Sequence, residues 1–484
     1  MFLVVAFFEL PNESLVCFRM ILVACILFAL SATYATGVSA VFTHVQSSPL
    51  SGKLQSRDVN NSGVTLPLKA TYTPSGTVLD VEVTVGGQNF SMFLDTGSSD
   101  IYLPKKGFQC INATDNSILP QESCLFNKVY EISPTFEQIQ NQSFGVKYGS
   151  GIASGIVGYE EVIIGGLRVE KQEIGVADRI TDVGDGNDSG VLGLAYPYLT
   201  SAHPGTQYPN ESLSFLINRI PYNPLFTNLY KQGSVKPFFS ISINRNPVNV
   251  SNGDGGFLGL GTLPPVPHKS TFAVAPVERL DVLPPIFTNN EIVYTYWALS
   301  VKSTIVDSVT MTTSFQAIVD TGNFYNYVPT ELASSINNAF HPPATKNVDF
   351  LDTGSYSVSC NATSPTFGLT FSNNETIYMD SRDMLLQNSH GTCTSAFVDA
   401  DVIGAVSGIT FSILGTPFLQ SVVSVWDFGN DEMRFAKRIE SGGGAGTPSN
   451  TSIPVVVTSG VRNNTLDLFL VCLLFTVTTT GFLL

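Results

Sequence analysis

Three Asp-Thr-Gly triplets stand in the chain, in FLDTGSSD (Phe93 to Asp100), IVDTGNFY (Ile318 to Tyr325) and FLDTGSYS (Phe350 to Ser357). A carboxylate on a tight turn can take a proton from water, and a protonated partner can give one to a substrate. Such chemistry needs two carboxyls close enough to share a proton, so one triplet is surplus. Context separates them. Asp95 follows the apolar run SMFL and precedes IYLP; Asp320 follows FQAIV and precedes YVP, then PTELASSINNAF (Pro329 to Phe340), whose period predicts a short helix capped by Thr330. Each has a later apolar-apolar-Gly partner, VLGLAY (Val191 to Tyr196) and ILGTPFL (Ile413 to Leu419). Asp352 has neither the preceding apolar strand nor a following helix and reads as a chance turn.

Other chemistries lack their residues. His44, His203, His268, His341 and His390 show no H-E-x-x-H spacing, and there is no G-x-S-x-G elbow or G-x-G-x-x-G fingerprint. Neither a metal nor another cofactor is expected. The net charge of −15 and few Lys or Arg exclude a polyanion-binding role, so no nucleic acid partner is expected.

Positioning two triplets falls to strands. VLDVEVTV (Val78 to Val85), FFSISI (Phe238 to Ile243) and SVVSVWDF (Ser421 to Phe428) alternate between Gly, Asn and Pro clusters, which predicts a mostly β protein. A second short helix is expected over ESLSFLINRI (Glu211 to Ile220). The glycines from Ser251 to Gly261 and the pair Pro264-Pro265 read as a turn and the crossing between two halves. Apolar strand, Asp-Thr-Gly and apolar-apolar-Gly occur twice at long period, so the halves are related.

The ends point to export. Residues 1–40 read as a secretory signal, with an apolar core opening near Met20 and a small-residue stop at Val38-Ser39-Ala40. Residues 41–70 read as a short pro-segment or extension with Lys53 and Arg57. Residues 441–465 form a Gly/Ser/Thr-rich stalk, and 466–484 an apolar tail with no cation after it, either a removed GPI signal or a membrane anchor. Setting aside Cys17, Cys25 and Cys472 leaves an even set, and neighbourhood in the chain pairs Cys110 with Cys124 and Cys360 with Cys393. Acceptor triplets at Asn112, Asn141, Asn187, Asn210, Asn361 and Asn374 suit a glycosylated surface.

Taken with the flap-like VKYGSGIASG (Val146 to Gly155) and the closing VWDFGNDEMRFA, the two triplets and their partners make the chain resemble the pepsin-like aspartic proteases over Tyr72 to Lys437, with a weaker similarity to surface-anchored fungal members. The resemblance implies a bilobal fold of two related β-barrel-like lobes, residues 71–265 and 266–440, with a cleft between them. It implies a monomeric endopeptidase with an acid optimum, cutting peptides or proteins by water activated between Asp95 and Asp320. Thr96 and Thr321 would interlock the two loops, Gly97 and Gly322 would allow close approach, and Ser98 would orient Asp95. Tyr148, with Gly149 and Ser150, would close over substrate as the flap. Two positions depart from the family. Asn323 stands where Thr or Ser is usual, and Tyr102 where Trp commonly bonds the flap tyrosine. A non-catalytic surface binding or inhibitor-like protein of the same fold is the competing reading, and Asn323 is the catalytic-loop feature in its favour.

Overall fold

The computed structural model describes residues 63–439, apart from 74–75, 113–114, 149–150, 182–183, 209–213, 348–353 and 403–409. Strands dominate, as alternation predicts. The run FFSISI is the strand Phe238–Ile243, while the other two runs fall on Gly76–Val85 and Val422–Asp427. The fold is bilobal and mostly β.

Both halves contribute to a six-strand antiparallel section of the largest sheet, in the order Val64–Thr73, Gly253–Leu260, Phe238–Ile243, Val422–Asp427, Glu432–Lys437 and Ala273–Pro276. At its middle Phe239 faces Trp426 in register, and the rings stack at 5.0 Å. Both are fully buried, so this seam joins the halves through apolar area rather than through a linker alone. Leu68 and Ala70 on the first of these strands are also buried, so the last residues of the expected extension 41–70 belong to the fold.

The glycine-rich run at 251–261 is likewise strand for most of its length, Gly253–Leu260, and not the expected turn. Its glycines answer to crowding. A Cβ on Gly256, which sits at φ +102°, would lie 1.9 Å from the Ser242 carbonyl oxygen.

Helices are short. The expected one forms at Thr330–Ala339, burying Leu332, Ala333 and Ile336, but Thr330 is not its cap: Pro329 occupies that position, and the Thr330 hydroxyl donates to Asp399 Oδ1 at 2.7 Å. The described part of Glu211 to Ile220 runs as turn and bend from residue 214, and a helix forms instead at Leu225–Lys231, after Pro224. Three further sheets, of five, four and four strands, build the second lobe. Disulfides link Cys110 with Cys124 and Cys360 with Cys393, each inside one half. Among the described residues no helix is long and apolar enough to cross a membrane; segments 1–40, 441–465 and 466–484 lie outside them.

Candidate active site

Each retained triplet ends a buried strand at a chain crossing. In the first half the strand Gln88–Asp95 runs parallel to Val191–Gly193, with Asp95 opposite Gly193, and Val191–Gly193 also pairs antiparallel with Ile101–Ile111. In the second half Phe315–Val319 runs parallel to Ser412–Leu414, with Val319 opposite Leu414, and Tyr327 pairs antiparallel with Ile413. One residue further along, Asp320 falls opposite Gly415, the same register as Asp95 with Gly193. The duplication read from the sequence is therefore a duplication of geometry.

Four hydrogen bonds lock the loops together. The Thr96 N–H donates to Thr321 Oγ1 at 3.0 Å and the Thr321 N–H to Thr96 Oγ1 at 2.9 Å. The hydroxyls then donate onward, Thr96 to the Val319 carbonyl at 3.2 Å and Thr321 to that of Leu94 at 2.7 Å. Both threonines are fully buried, so every one of these groups would be an orphan without its partner. The glycines permit the approach: a Cβ on Gly97 would lie 2.7 Å from the Asp320 carboxyl, and one on Gly322 2.7 Å from Asp95 Oδ1.

The carboxyls are held unequally. Asp95 accepts from the Gly97 N–H at 2.8 Å on Oδ1 and from the Ser98 hydroxyl at 2.5 Å on Oδ2. Asp320 accepts from the Gly322 N–H at 2.8 Å. Burial pushes the Asp95 carboxyl up, while the donors on Ser98, Gly97 and Asp320 pull it down. Burial, and then the charge on Asp95, push Asp320 well above the usual carboxylate range. The two carboxyls contact each other and titrate as a pair, with the upward push stronger on Asp320.

Near the pair, with Tyr148 beside Ser98, stands a hairpin of the strands Glu137–Lys147 and Ile152–Ile164, closed by a Tyr148 N–H bond to the Gly151 carbonyl at 2.7 Å. Gly149 and Ser150, expected at its tip, lie outside the described residues. Tyr102 is buried, and its ring stacks on that of Tyr148 at 6.3 Å and 28°. The Tyr148 hydroxyl is shielded from solvent and lies beside the hydroxyls of Ser98 and Tyr102. Asn323 is buried, its side-chain oxygen accepting from the Tyr325 N–H at 3.1 Å. Asp352 lies outside the described residues. Among those residues no group of three His, Cys, Asp or Glu is arranged to hold a metal.

Sequence reasoning noted Asp100 only in the weaker similarity to surface-anchored fungal members and gave it no role behind this site. Asp100 closes the first motif and is fully buried, with Oδ1 accepting from the Tyr222 hydroxyl at 2.6 Å and the Ser201 N–H at 2.8 Å. The available signal was an acid placed directly before the apolar run IYL; its partners, about a hundred residues away, carry no motif.

The eukaryotic aspartyl protease family model matches residues 78–438. A protein described as a "probable aspartic-type endopeptidase" from Aspergillus fumigatus is 36% identical over 369 residues, covering 73% of this chain and 77% of its own. Cathepsin E of Aquarana catesbeiana is 29% identical over 373 residues (74% of this chain, 80% of its own), and pepsin A of Sus scrofa 26% over 357 (72% and 78%). Among solved structures, an aspartic proteinase from Irpex lacteus superposes with a TM-score of 0.56 at 21% identity, covering 78% of this chain and 98% of its own, a likeness of fold. The chain belongs to the eukaryotic aspartyl protease family and is a pepsin-like aspartic-type endopeptidase. Its two disulfides fit an oxidising secretory pathway.

Proposed function

We propose that this endopeptidase works in acid, with Asp95 ionised and Asp320 protonated, on extended peptide segments. The observation that carries the reading is the unequal hydrogen bonding of two carboxyls in contact, richer on Asp95. Water between them gives a proton to Asp95 while its oxygen bonds to the scissile carbonyl carbon, and Asp320 gives its proton to the carbonyl oxygen. The tetrahedral product collapses as the proton on Asp95 passes to the leaving nitrogen, the C–N bond breaks, and Asp320 recovers its own. Both carboxyls begin and end in the same state.

Tyr148 on the hairpin excludes water and presses on substrate. Substrate main chain pairs with strand edges for affinity, and apolar pockets give preference for apolar residues beside the cut. Export, glycosylation and a surface tether complete the proposal, the last testable by release with a phosphatidylinositol-specific phospholipase.

Cleavage of a denatured protein from roughly pH 2.5 to 7, with and without a statine-type transition-state analogue, tests the chemistry. Asp95→Asn and Asp320→Asn are expected to abolish analogue-sensitive activity and Asp352→Asn to keep it. Correctly processed, folded protein without such activity would overturn the proposal.

A further inference from the structure

Deepening that reading, and resting on it, we infer that Asp100 and His203 are positioning residues that fix the height of the flap over the catalytic pair, His203 by bonding the Gly145 carbonyl and Asp100 by holding Ser201, whose carbonyl takes the Gly145 N–H. Gly145 lies on the flap strand Glu137–Lys147, three residues before Tyr148. Its N–H donates to the Ser201 carbonyl at 3.0 Å, and its carbonyl meets His203 Nε2 at 2.9 Å. A carbonyl can only accept, so this contact is a bond in the tautomer that carries the proton on Nε2. The grip extends the ladder by one position: Ala202 and His203 face Phe144 and Ser143 in register, the Ser201 carbonyl takes the Gly145 N–H, and the His203 ring reaches the Gly145 carbonyl.

The gripping segment is in turn tied to the catalytic loop. Asp100 Oδ1 accepts from the Ser201 N–H, and its own backbone carbonyl accepts from the Gly193 N–H at 2.8 Å, opposite Asp95. Tyr222 completes the post from the other side: its hydroxyl donates to Asp100, and its N–H to Thr200 Oγ1 at 3.0 Å. One short route thus runs from Asp95 through the backbone of Gly193, the Asp100 side chain and Ser201 to Gly145 and the flap tyrosine. Asp100, His203 and Ser201 are all at least nine-tenths buried, so water cannot replace a lost partner cheaply.

The surroundings keep both groups in the required form. Burial, followed by the charge of Arg219, pushes His203 down to about 4 against the pull of the Gly145 and Ile217 backbone, so above that the ring is neutral and has one N–H to give. Burial pushes the Asp100 carboxyl up, against the pull of Tyr222, Ser201 and Arg219. Neither side chain is needed for the chemistry at the scissile bond, and both are well placed to set how tightly the flap closes on substrate.

The test uses the processed full chain carrying Asp100→Ala or His203→Ala, beside Asp100→Asn and His203→Gln. Asn keeps the oxygen that Ser201 and Tyr222 need, and Gln can place an N–H near that of His203 Nε2. The alanine variants are expected to raise KM for a peptide substrate by about tenfold or more, as loss of one buried bond implies, with kcat changed by less than about threefold. Asn and Gln are expected to restore most of the loss. Hydrogen exchange at the Gly145 and Tyr148 amides, read on the same proteins without substrate, is expected to quicken in the alanine variants and recover in the conservative ones. An unchanged KM and unchanged exchange in both alanine variants would overturn the inference, as would a loss confined to kcat or one that Asn and Gln fail to rescue. If wild-type protein shows no analogue-sensitive cleavage, the dyad proposal fails by itself, and the exchange measurement still decides the grip: altered rates support it and unaltered rates remove it.

Discussion

Removing the Ser98 hydroxyl isolates the feature that makes the two aspartates differ. Ser98→Ala deletes the 2.5 Å bond to Asp95 Oδ2 and leaves the Gly97 N–H on Oδ1 in place. Ser98 is only 3% exposed, so little water is available to take over the bond. A hydrogen bond to an ionised group contributes about 1.5–3 kcal/mol. Because about 1.4 kcal/mol corresponds to one pH unit, the ionisation that opens the acid limb of kcat/KM should move up by about one to two pH units. The sign follows from the direction of the bond. The hydroxyl stabilises the carboxylate, so its loss favours the protonated form and activity appears only at higher pH. The assay is the pH dependence of kcat/KM on a soluble chromogenic peptide across the acid range, with Ser98→Thr as the variant that keeps a hydroxyl. An acid limb unmoved in Ser98→Ala while Ser98→Thr is active would refute the assignment of Asp95 as the ionised partner.

Two further substitutions probe packing and charge. Gly322→Ala places a Cβ 2.7 Å from Asp95 Oδ1, and a displacement of the order of 1 Å at a reacting group can cost about a hundredfold in rate; kcat is expected to fall by about that factor, with a thermal-unfolding loss of only about 1–3 kcal/mol from overpacking. Asp80 lies fully buried with neither carboxyl oxygen partnered, and burial, then the charge of Asp185, pushes it up to about 7 from 3.8, with Glu82 adding and Lys69 opposing. A raised carboxyl costs nothing below its unfolded value and its full penalty above its folded one, so stability falls between those two pH values by up to about 4 kcal/mol. Asp80→Asn is expected to narrow the gap in Tm between pH 4 and pH 8, and an unchanged gap in a folded variant would contradict this origin.

The readable part of the molecule was its repeating part. Strand alternation and the twofold recurrence of Asp-Thr-Gly with a later apolar-apolar-Gly are local patterns, and they singled out Asp95 and Asp320; the contact of Thr96 with Thr321, implied only by the family resemblance, is made by two reciprocal N–H to hydroxyl bonds. Glycine was read through its commonest use, as punctuation, which made a turn of Gly253–Leu260. Its other use, yielding space to a neighbouring strand, depends on Ser242 and cannot be seen from the run itself. Thr330 has the type and place of a cap, yet Asp399, sixty-nine residues on, claims its hydroxyl. The same limit hid the role of Asp100, whose partners Ser201 and Tyr222 are brought to it by the fold alone.

Duplication gives these two carboxyls equal positions, and equal positions cannot by themselves decide which one holds the shared proton. The decision passes to the residue after each triplet. Ser98 turns its hydroxyl to Asp95, while the side-chain oxygen of Asn323 is engaged by the Tyr325 N–H two residues on. Exchanging the two should therefore transfer the asymmetry if these residues carry it. Asn323→Ser supplies a hydroxyl on the Asp320 side and is expected to favour ionisation there, lowering the upper limb of the pH profile, since the proton on Asp320 is the one lost at that limb. Combined with Ser98→Ala, it brings the two limbs together and narrows the active range. A double variant whose profile keeps its wild-type width would mean that the asymmetry resides in the lobes as wholes and not in the two residues that break the repeat.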